Sequence, residues 1–539
     1  MTVWSLIVMC ALSLGCLLAG RTLIHYFQLE SYQFPGYFRA VRRNAPQSLL
    51  IGAVLNLVLL GGAALLSVLI PESNDWLPPI AESLLLIAAG CVLRWLMKDK
   101  KAKKPLKMTP RLKRYYGISF IVFLLLLILF ARLGAKLDTE GHLQTNPIIA
   151  LFAGFPLLLP LWIAFSGLIA WPVEKGISEM YFRDAQRILK SRPDLIRIGI
   201  TGSWGKTSVK FILGTLLEEK YHTLVTPASF NTPMGVTKVI RSQLEAGHRV
   251  FVAEMGARHV GDIREMCRLV HPVMGILTSV GPQHLDTFRT QERITRTKYE
   301  LITALPKDGH AFFSDDDGIC LELYRKTKKE KTLAGLHGER DQVWAENIHV
   351  SPEGSAFDLC IPGEKVACHT KLLGELNIQN IVLSASVCLA LDMSLRQIAR
   401  GIERLEPVEH RLQLISNPGG ISVIDDAFNS NIRGAKQAFS VLRDFPERRI
   451  IVTPGMVELG DQEAELNTQL GEAMADCCDL AILVGENRSA AIREGLARKA
   501  FPEDRLIVVQ SLEEASSWIR THARAGDTVL FENDLPDQY

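Results

Sequence analysis

The sequence predicts an α-helical membrane region followed by α/β architecture with mainly parallel sheets, and three observations carry that prediction. Long uncharged apolar runs crowd the first third of the 539 residues, a strand, turn, helix alternation starts near residue 195, and the alternation begins again near residues 408–413. Parallel strands need long crossovers that return the chain to the same end of the sheet, which is why such alternation implies helices covering a parallel sheet. At about 150 residues per domain a chain of this length holds several units. We divide it into residues 1–175, 190–408 and 409–539.

The first region reads as membrane-spanning. A helix needs about 20 mainly apolar residues to cross a bilayer, and the stretches 3–20, 48–70, 79–97, 116–135 and 147–171 come near that length. The first is read as a retained span, not a signal peptide, because residues 1–6 carry no base and no small-residue cleavage site follows. Arg21, Arg39, Arg42 and Arg43 lie between the first two stretches, and a run of lysines and arginines from Lys98 to Arg114 lies between the third and fourth. The intervening segment 71–78 has no base and 136–146 has one. Basic loops stay on the cytoplasmic side, so five spans put the N-terminus outside and everything after Trp171 in the cytoplasm, beneath the cell's inner membrane. The same basic loop suits an anionic membrane lipid.

The formal charge of +2 gives no reason to expect a nucleic-acid partner. The ten cysteines, among them the vicinal Cys477 and Cys478, show neither C-x-x-C nor zinc spacing and read as buried thiols in a reducing compartment.

In the second region the strands are expected at 195–200, 250–253 and 274–278, and in the third at 421–424, 449–452, 480–484, 506–509 and 528–531. The first of these runs into Thr201, Gly202, Ser203, Trp204, Gly205, Lys206, Thr207 and Ser208 and then a helical stretch. Glycines let backbone amides turn in on an anion, the helix N-terminus adds positive potential, a lysine neutralises phosphate oxygens and the next hydroxyl can ligate magnesium. The general Walker pattern is met imperfectly, since Ile200 stands where its first glycine belongs.

The short form T-G-S-W-G-K-T resembles the ATP loop of the Mur ligases, and the resemblance continues in order along the chain. Asn231 to Val236 resembles the family's Asn-rich segment, Ala253 to Ala257 its acidic strand end, and Gly281 to Asp286 its Gly-Pro-x-His-Leu turn, with Lys298 at the expected distance beyond. Residues 374–380 and Arg411 resemble the nucleotide-contacting stretch and the domain junction. Residues 425–431 and 455–460 resemble motifs typical of the member that adds D-alanyl-D-alanine to a UDP-muramoyl tripeptide. The match spans about 195–530 and implies a P-loop central domain and a Rossmann-like α/β C-terminal domain.

What the resemblance implies is an ATP-dependent ligase joining a carboxylate to an amine through an acyl phosphate, with Mg²⁺. On this reading Lys206, Glu254, His284 and Lys298 form the catalytic set. Thr207, Glu254, His284 and Lys298 would be the metal ligands, Lys298 after carbamylation by CO₂. Gly202, Ser203, Gly205, Lys206, Thr207, Ser208, Asn377, Asn380, Arg411 and Asp426 would hold the nucleotide, and Asn231, Asn429 and Asn431 the other substrates. The partners would be a UDP-linked or lipid-linked muramoyl peptide or polymer as carboxylate donor, and an amino acid or dipeptide as amine.

The sequence departs from the family in four places. Apolar spans stand where a UDP-gripping domain is usual, Leu376 replaces a frequent histidine, Phe428 replaces a frequent tyrosine, and residues 531–536 replace a Lys-Gly-Ser-like loop. Two other readings follow from these departures: a membrane-associated poly-γ-glutamate or capsule ligase, and a nucleotide-binding membrane scaffold without turnover. The joint presence of Lys206, Glu254, His284 and Lys298 favours catalysis over the scaffold.

Overall fold

The structure is a computed structural model that describes residues 3–30, 32–69, 76–96, 105–139, 154–228, 230–283, 285–315, 318–416, 420–427, 431–457 and 459–533. The chain divides into two compact units, with the break between Glu179 and Met180.

The first unit is helical. Three helices are long and apolar enough to cross a membrane, Ala45–Leu66, Leu77–Leu96 and Pro110–Leu133. The helices Val3–Ala19 and Arg21–Leu29 pass the same test only together, as a pair bent by 52°. Five spans were expected, so the described residues hold three, or four with the bent pair. The start of the expected fifth span lies outside the described residues. Its described part belongs to a helix, Leu159–Lys190, that continues through Pro172 and past the expected end of the span at residue 171. Small residues bring the first helix against Leu77–Leu96: a Cβ on Gly90 would lie 2.7 Å from the Gly15 carbonyl oxygen and 2.9 Å from its Cα. Backbones approach this closely only where side chains are absent, the usual device for packing helices in lipid.

The second unit holds two sheets. The first contains β1 (Ile196–Thr201), β2 (Thr223–Val225), β3 (Val250–Glu254), β4 (Met274–Leu277), β5 (His310–Ser314), β6 (Glu330–Gly335), β7 (Val343–Ser351), β8 (Gly354–Ile361) and β9 (Glu364–Thr370). Their order is β2-β3-β1-β4-β5-β6-β7-β8-β9. Pairing is parallel through β7 and antiparallel from β7 to β9. Strand alternation assigns the cores: Val250 and Val252 join Ile198 and Ile200 on one face, while Phe251 and Ala253 enter the core on the other. The sheet is thus apolar on both sides, as a helix-covered parallel sheet requires.

The second sheet contains β10 (Gln413–Ser416), β11 (Ser422–Asp426), β12 (Arg449–Thr453), β13 (Leu480–Val484), β14 (Leu506–Val509) and β15 (Thr528–Glu532), in the order β10-β11-β15-β12-β13-β14. Only the β10–β11 edge is antiparallel.

All eight expected strands are present within a residue or two. Strands β2, β5, β6 and β10 and the β7–β9 meander are additional to those expected. The position of β1 matters most for function. It lies between β3 and β4, where successive crossovers leave in opposite directions, and ligands of open α/β sheets gather beyond the strand ends at that point.

Candidate functional site

The turn after β1 is built from both sides. Gly205, at φ 79°, precedes the helix Lys206–Leu217 in the left-handed region that glycine adopts without strain. The loop is pinned to the segment following β4. The Ser203 backbone N–H donates to the Ser279 carbonyl at 2.9 Å, and the Trp204 N–H donates to Ser279 Oγ at 2.9 Å. Ser203 Oγ donates to the Gly281 carbonyl at 2.9 Å and accepts from the Gly281 N–H at 3.0 Å. Trp204 covers Gly281 so closely that a Cβ there would stand 2.0 Å from the indole.

Lys206 curls back over the loop, donating to the carbonyls of Gly202 at 2.7 Å and Ser203 at 2.8 Å. Burial pushes its ammonium down to about 8, with Glu254 opposing the shift and Arg411 adding to it.

Glu254 ends β3 at 1% exposure. Its Oε2 accepts from Thr207 Oγ1 at 3.1 Å and pairs with Lys210 Nζ at 3.0 Å, while Oε1 accepts from Asn231 Nδ2 at 3.1 Å. Burial works to raise this carboxyl, but Lys210, Lys206 and the Asn231 hydrogen bond together hold it below its ordinary value. Lys298, on the helix Gln291–Ala304, is 2% exposed and makes no hydrogen bond or ion pair among the described residues. Burial, helped by Lys206, drives it well below the usual lysine range.

The remaining expected site residues fall into three groups. Asn380 reaches the loop, its Oδ1 lying 3.0 Å from where a Gly205 Cβ would be, whereas Asn377 donates to the Leu373 carbonyl at 2.9 Å and ties the start of its own helix. Arg411 lies just before β10, and Asp426, which ends β11, accepts from the Leu412 N–H at 3.1 Å. Burial raises Asp426 against the pull of Arg411, which itself acts on Lys206 and Lys210. Asn431 caps the helix Ile432–Arg443 by accepting from the Gly434 N–H at 3.0 Å. His284 and Asn429 lie outside the described residues.

Two contributors were missed by the sequence reading. Lys210 carried a readable signal, because it follows Lys206 by one helical turn and so shares its face. Trp204 against Gly281 carried none, since contact between two loops 77 residues apart is visible only after folding.

The donor set fits the groups expected. A hydroxyl and a carboxylate converging within 3.1 Å are hard oxygen ligands suited to Mg²⁺, and a Cβ on Gly202 would meet Thr278 Oγ1 at 2.0 Å, so the turn after β1 tolerates no side chain there. Among the described residues no group of three or more His, Cys, Asp or Glu converges; the remaining oxygen ligands would come from nucleotide and water, as is usual for magnesium.

A parallel sheet with a glycine-rich loop and a buried lysine at its switch point, followed by a second α/β sheet, is the architecture of a nucleotide-dependent enzyme. Residues 200–388 match the Mur ligase middle domain and residues 410–532 match the Mur ligase glutamate ligase domain. The UDP-N-acetylmuramoyl-tripeptide–D-alanyl-D-alanine ligase of Mycobacterium tuberculosis is 30% identical, covering 62% of this chain and 69% of that protein. Its counterpart from Bacillus subtilis is 27% identical, covering 62% and 72%. MurF from Acinetobacter baumannii superposes with a TM-score of 0.60 at 27% identity, covering 66% of this chain and 77% of that one. MurF from Thermotoga maritima, solved in complex with ADP, shares the fold with a TM-score of 0.60 at 24% identity, covering 66% and 80%. The chain belongs to the Mur ligase family. It is an ATP-dependent ligase that joins a carboxylate to an amine.

Proposed function

We propose that this ligase acts on a muramoyl-peptide carboxylate and a D-alanyl-D-alanine-type amine in the making of peptidoglycan precursor. The observation that carries the reading is the convergence of Lys206, Thr207 and Glu254 at the end of β1 and β3, with Lys298 and Arg411 within electrostatic reach. A carboxylate is a poor acylating agent because its leaving group is oxide. Its oxygen therefore attacks the γ-phosphorus of ATP, ADP departs, and the acyl phosphate carries a leaving group that the amine displaces. The amine nitrogen adds to the acyl carbon, phosphate leaves, and the proton of the former amine passes to solvent. Lys206 offsets phosphate charge as it moves, and positioned charge of this kind dominates phosphoryl transfer. Bound Mg²⁺ would supply further charge compensation at the triphosphate, held by Thr207 and Glu254, with His284 and Lys298 as the remaining family ligands.

Lys298 serves as an oxygen ligand only after its neutral amine adds to CO₂, losing a proton and forming a carbamate. Its burial and its lack of partners among the described residues support that chemistry. Asn377, Asn380, Arg411 and Asp426 line the nucleotide, and Asn231 acts through Glu254. The family matches at residues 200–388 and 410–532 support 1–175, 190–408 and 409–539 as the functional division.

The three apolar helices among the described residues support a membrane-anchored enzyme, and the basic segments between the apolar stretches support a cytoplasmic ligase part. A lipid-linked donor is the second reading, beside the UDP-linked one. The decisive experiment uses purified full-length protein in detergent and follows ADP and phosphate release with UDP-muramoyl tripeptide plus D-alanyl-D-alanine. Release that needs both partners supports the proposal, and release indifferent to either refutes it. If deletion of residues 1–175 leaves turnover on the soluble UDP-linked donor unchanged, the lipid-donor reading fails.

A further inference from the structure

One lysine of this site has no role yet. Lys210 is fully buried, 0% exposed, in a helix whose polar face could have been closed by an apolar side chain. A buried ion pair is weak support for stability, because desolvation of both charges offsets their attraction, and its best attested use is to fix a unique geometry. Here the geometry is specific. Lys210 Nζ pairs with Glu254 Oε2 at 3.0 Å and donates to the carbonyl of Ala228, a residue held at φ 44°. It also lies 4.4 Å from the centroid of the Phe211 ring. The segment it grips carries two further tethers of the same glutamate: Thr226 Oγ1, which accepts the Glu254 backbone N–H at 3.2 Å, and Asn231 on Oε1.

Resting on the ligase reading above, we propose that Lys210 is a positioning residue, which fixes the carboxylate plane of Glu254 so that Oε2 and Thr207 Oγ1 stand side by side as metal ligands. Without it, only the neutral hydrogen bonds from Asn231 and Thr207 resist rotation of the carboxylate about its last bond, and the loop bearing Ala228 loses its anchor to the helix that follows the phosphate loop.

The alternative, a lysine acting as charge alone, makes the opposite prediction. Removing a cation 3.0 Å from a ligand oxygen would tighten divalent-metal binding. Removing a positioning group weakens it.

The test is Mn²⁺ binding to the full-length protein with a non-hydrolysable ATP analogue, read by electron paramagnetic resonance, for wild type, K210M, E254Q and the double variant. K210M is expected to weaken Mn²⁺ roughly tenfold, and to add nothing in the E254Q background, because the two residues act as one unit. Multiplying losses, or tighter Mn²⁺ binding by folded K210M, overturns the proposal. K210Q keeps a donor and drops the charge, so it decides the matter even if K210M does not fold. Affinity within threefold of wild type supports positioning, and a change beyond that range overturns it. An E254Q protein with wild-type Mn²⁺ affinity would instead refute the metal site itself, separating the two failures.

Discussion

Gly281→Ala tests the coupling between the phosphate loop and the segment after β4. The new Cβ would stand 2.0 Å from one Trp204 ring carbon and 2.5 Å from another, so the indole must shift by well over an ångström. The Trp204 amide and carbonyl are both bonded to Ser279 Oγ at 2.9 Å, so whatever part of the shift the side-chain torsions do not absorb strains the backbone of Ser203 to Gly205. Overpacking of this kind costs about 1–3 kcal/mol. If that cost falls on the nucleotide-competent loop, affinity for an ATP analogue drops roughly 5- to 150-fold. Trp204→Ala removes the obstacle, so the double variant should bind within a few fold of W204A alone. Equilibrium titration with a fluorescent ATP analogue measures all four proteins. Wild-type affinity in G281A, or no rescue by W204A, would refute the coupling.

Lys206→Met removes a charge-assisted contact to phosphate worth about 1.5–3 kcal/mol, so analogue affinity should fall at least tenfold with the thermal melt unchanged; unchanged affinity in the same titration would exclude phosphate contact. Lys298 should give a carbamate signal in carbon-13 spectra of protein equilibrated with labelled bicarbonate, and K298Q should abolish both that signal and turnover. Asp341 is 2% exposed beside Asp315, and burial raises its carboxyl from 3.8 to about 7. The folded state holds this proton more tightly than the unfolded chain does, so the stability it contributes is full below about pH 4 and is lost as pH rises through 7. D341N should flatten that part of the melting curve against pH, and parallel curves would exclude the assignment. Gly90→Leu should lower the melting temperature in detergent by forcing the helices Val3–Ala19 and Leu77–Leu96 apart, whereas Gly61→Leu, with nothing within 4 Å of its Cβ, should not; equal effects would argue against the packing.

Local chemistry made the site's ingredients legible. Strand β1, the glycines after it and Lys206 follow one another along the chain, so their geometry is short-range and is written in residue order. Glu254 was readable for the same reason, as an acid directly after an apolar run. The helical start was readable too, since hydrophobicity and length alone decide it, though the bend between Ala19 and Arg21 and the continuation through Pro172 were not. The β7–β9 meander escaped because its strands expose polar residues on one face and so lack the continuous apolar runs of the central strands.

What sequence alone determined, then, is the identity and order of the chemical groups: a phosphate loop, an acidic strand end, a distant lysine, two α/β sheets and an apolar beginning. Tertiary structure decided which groups meet. Lys210 against Glu254, Trp204 over Gly281 and Asn231 against Glu254 Oε1 all join segments tens of residues apart. Such contacts depend on how strands pack side by side, and strand order in a parallel sheet is fixed by long crossovers and shared cores, which leave no periodic mark on the residues that finally touch.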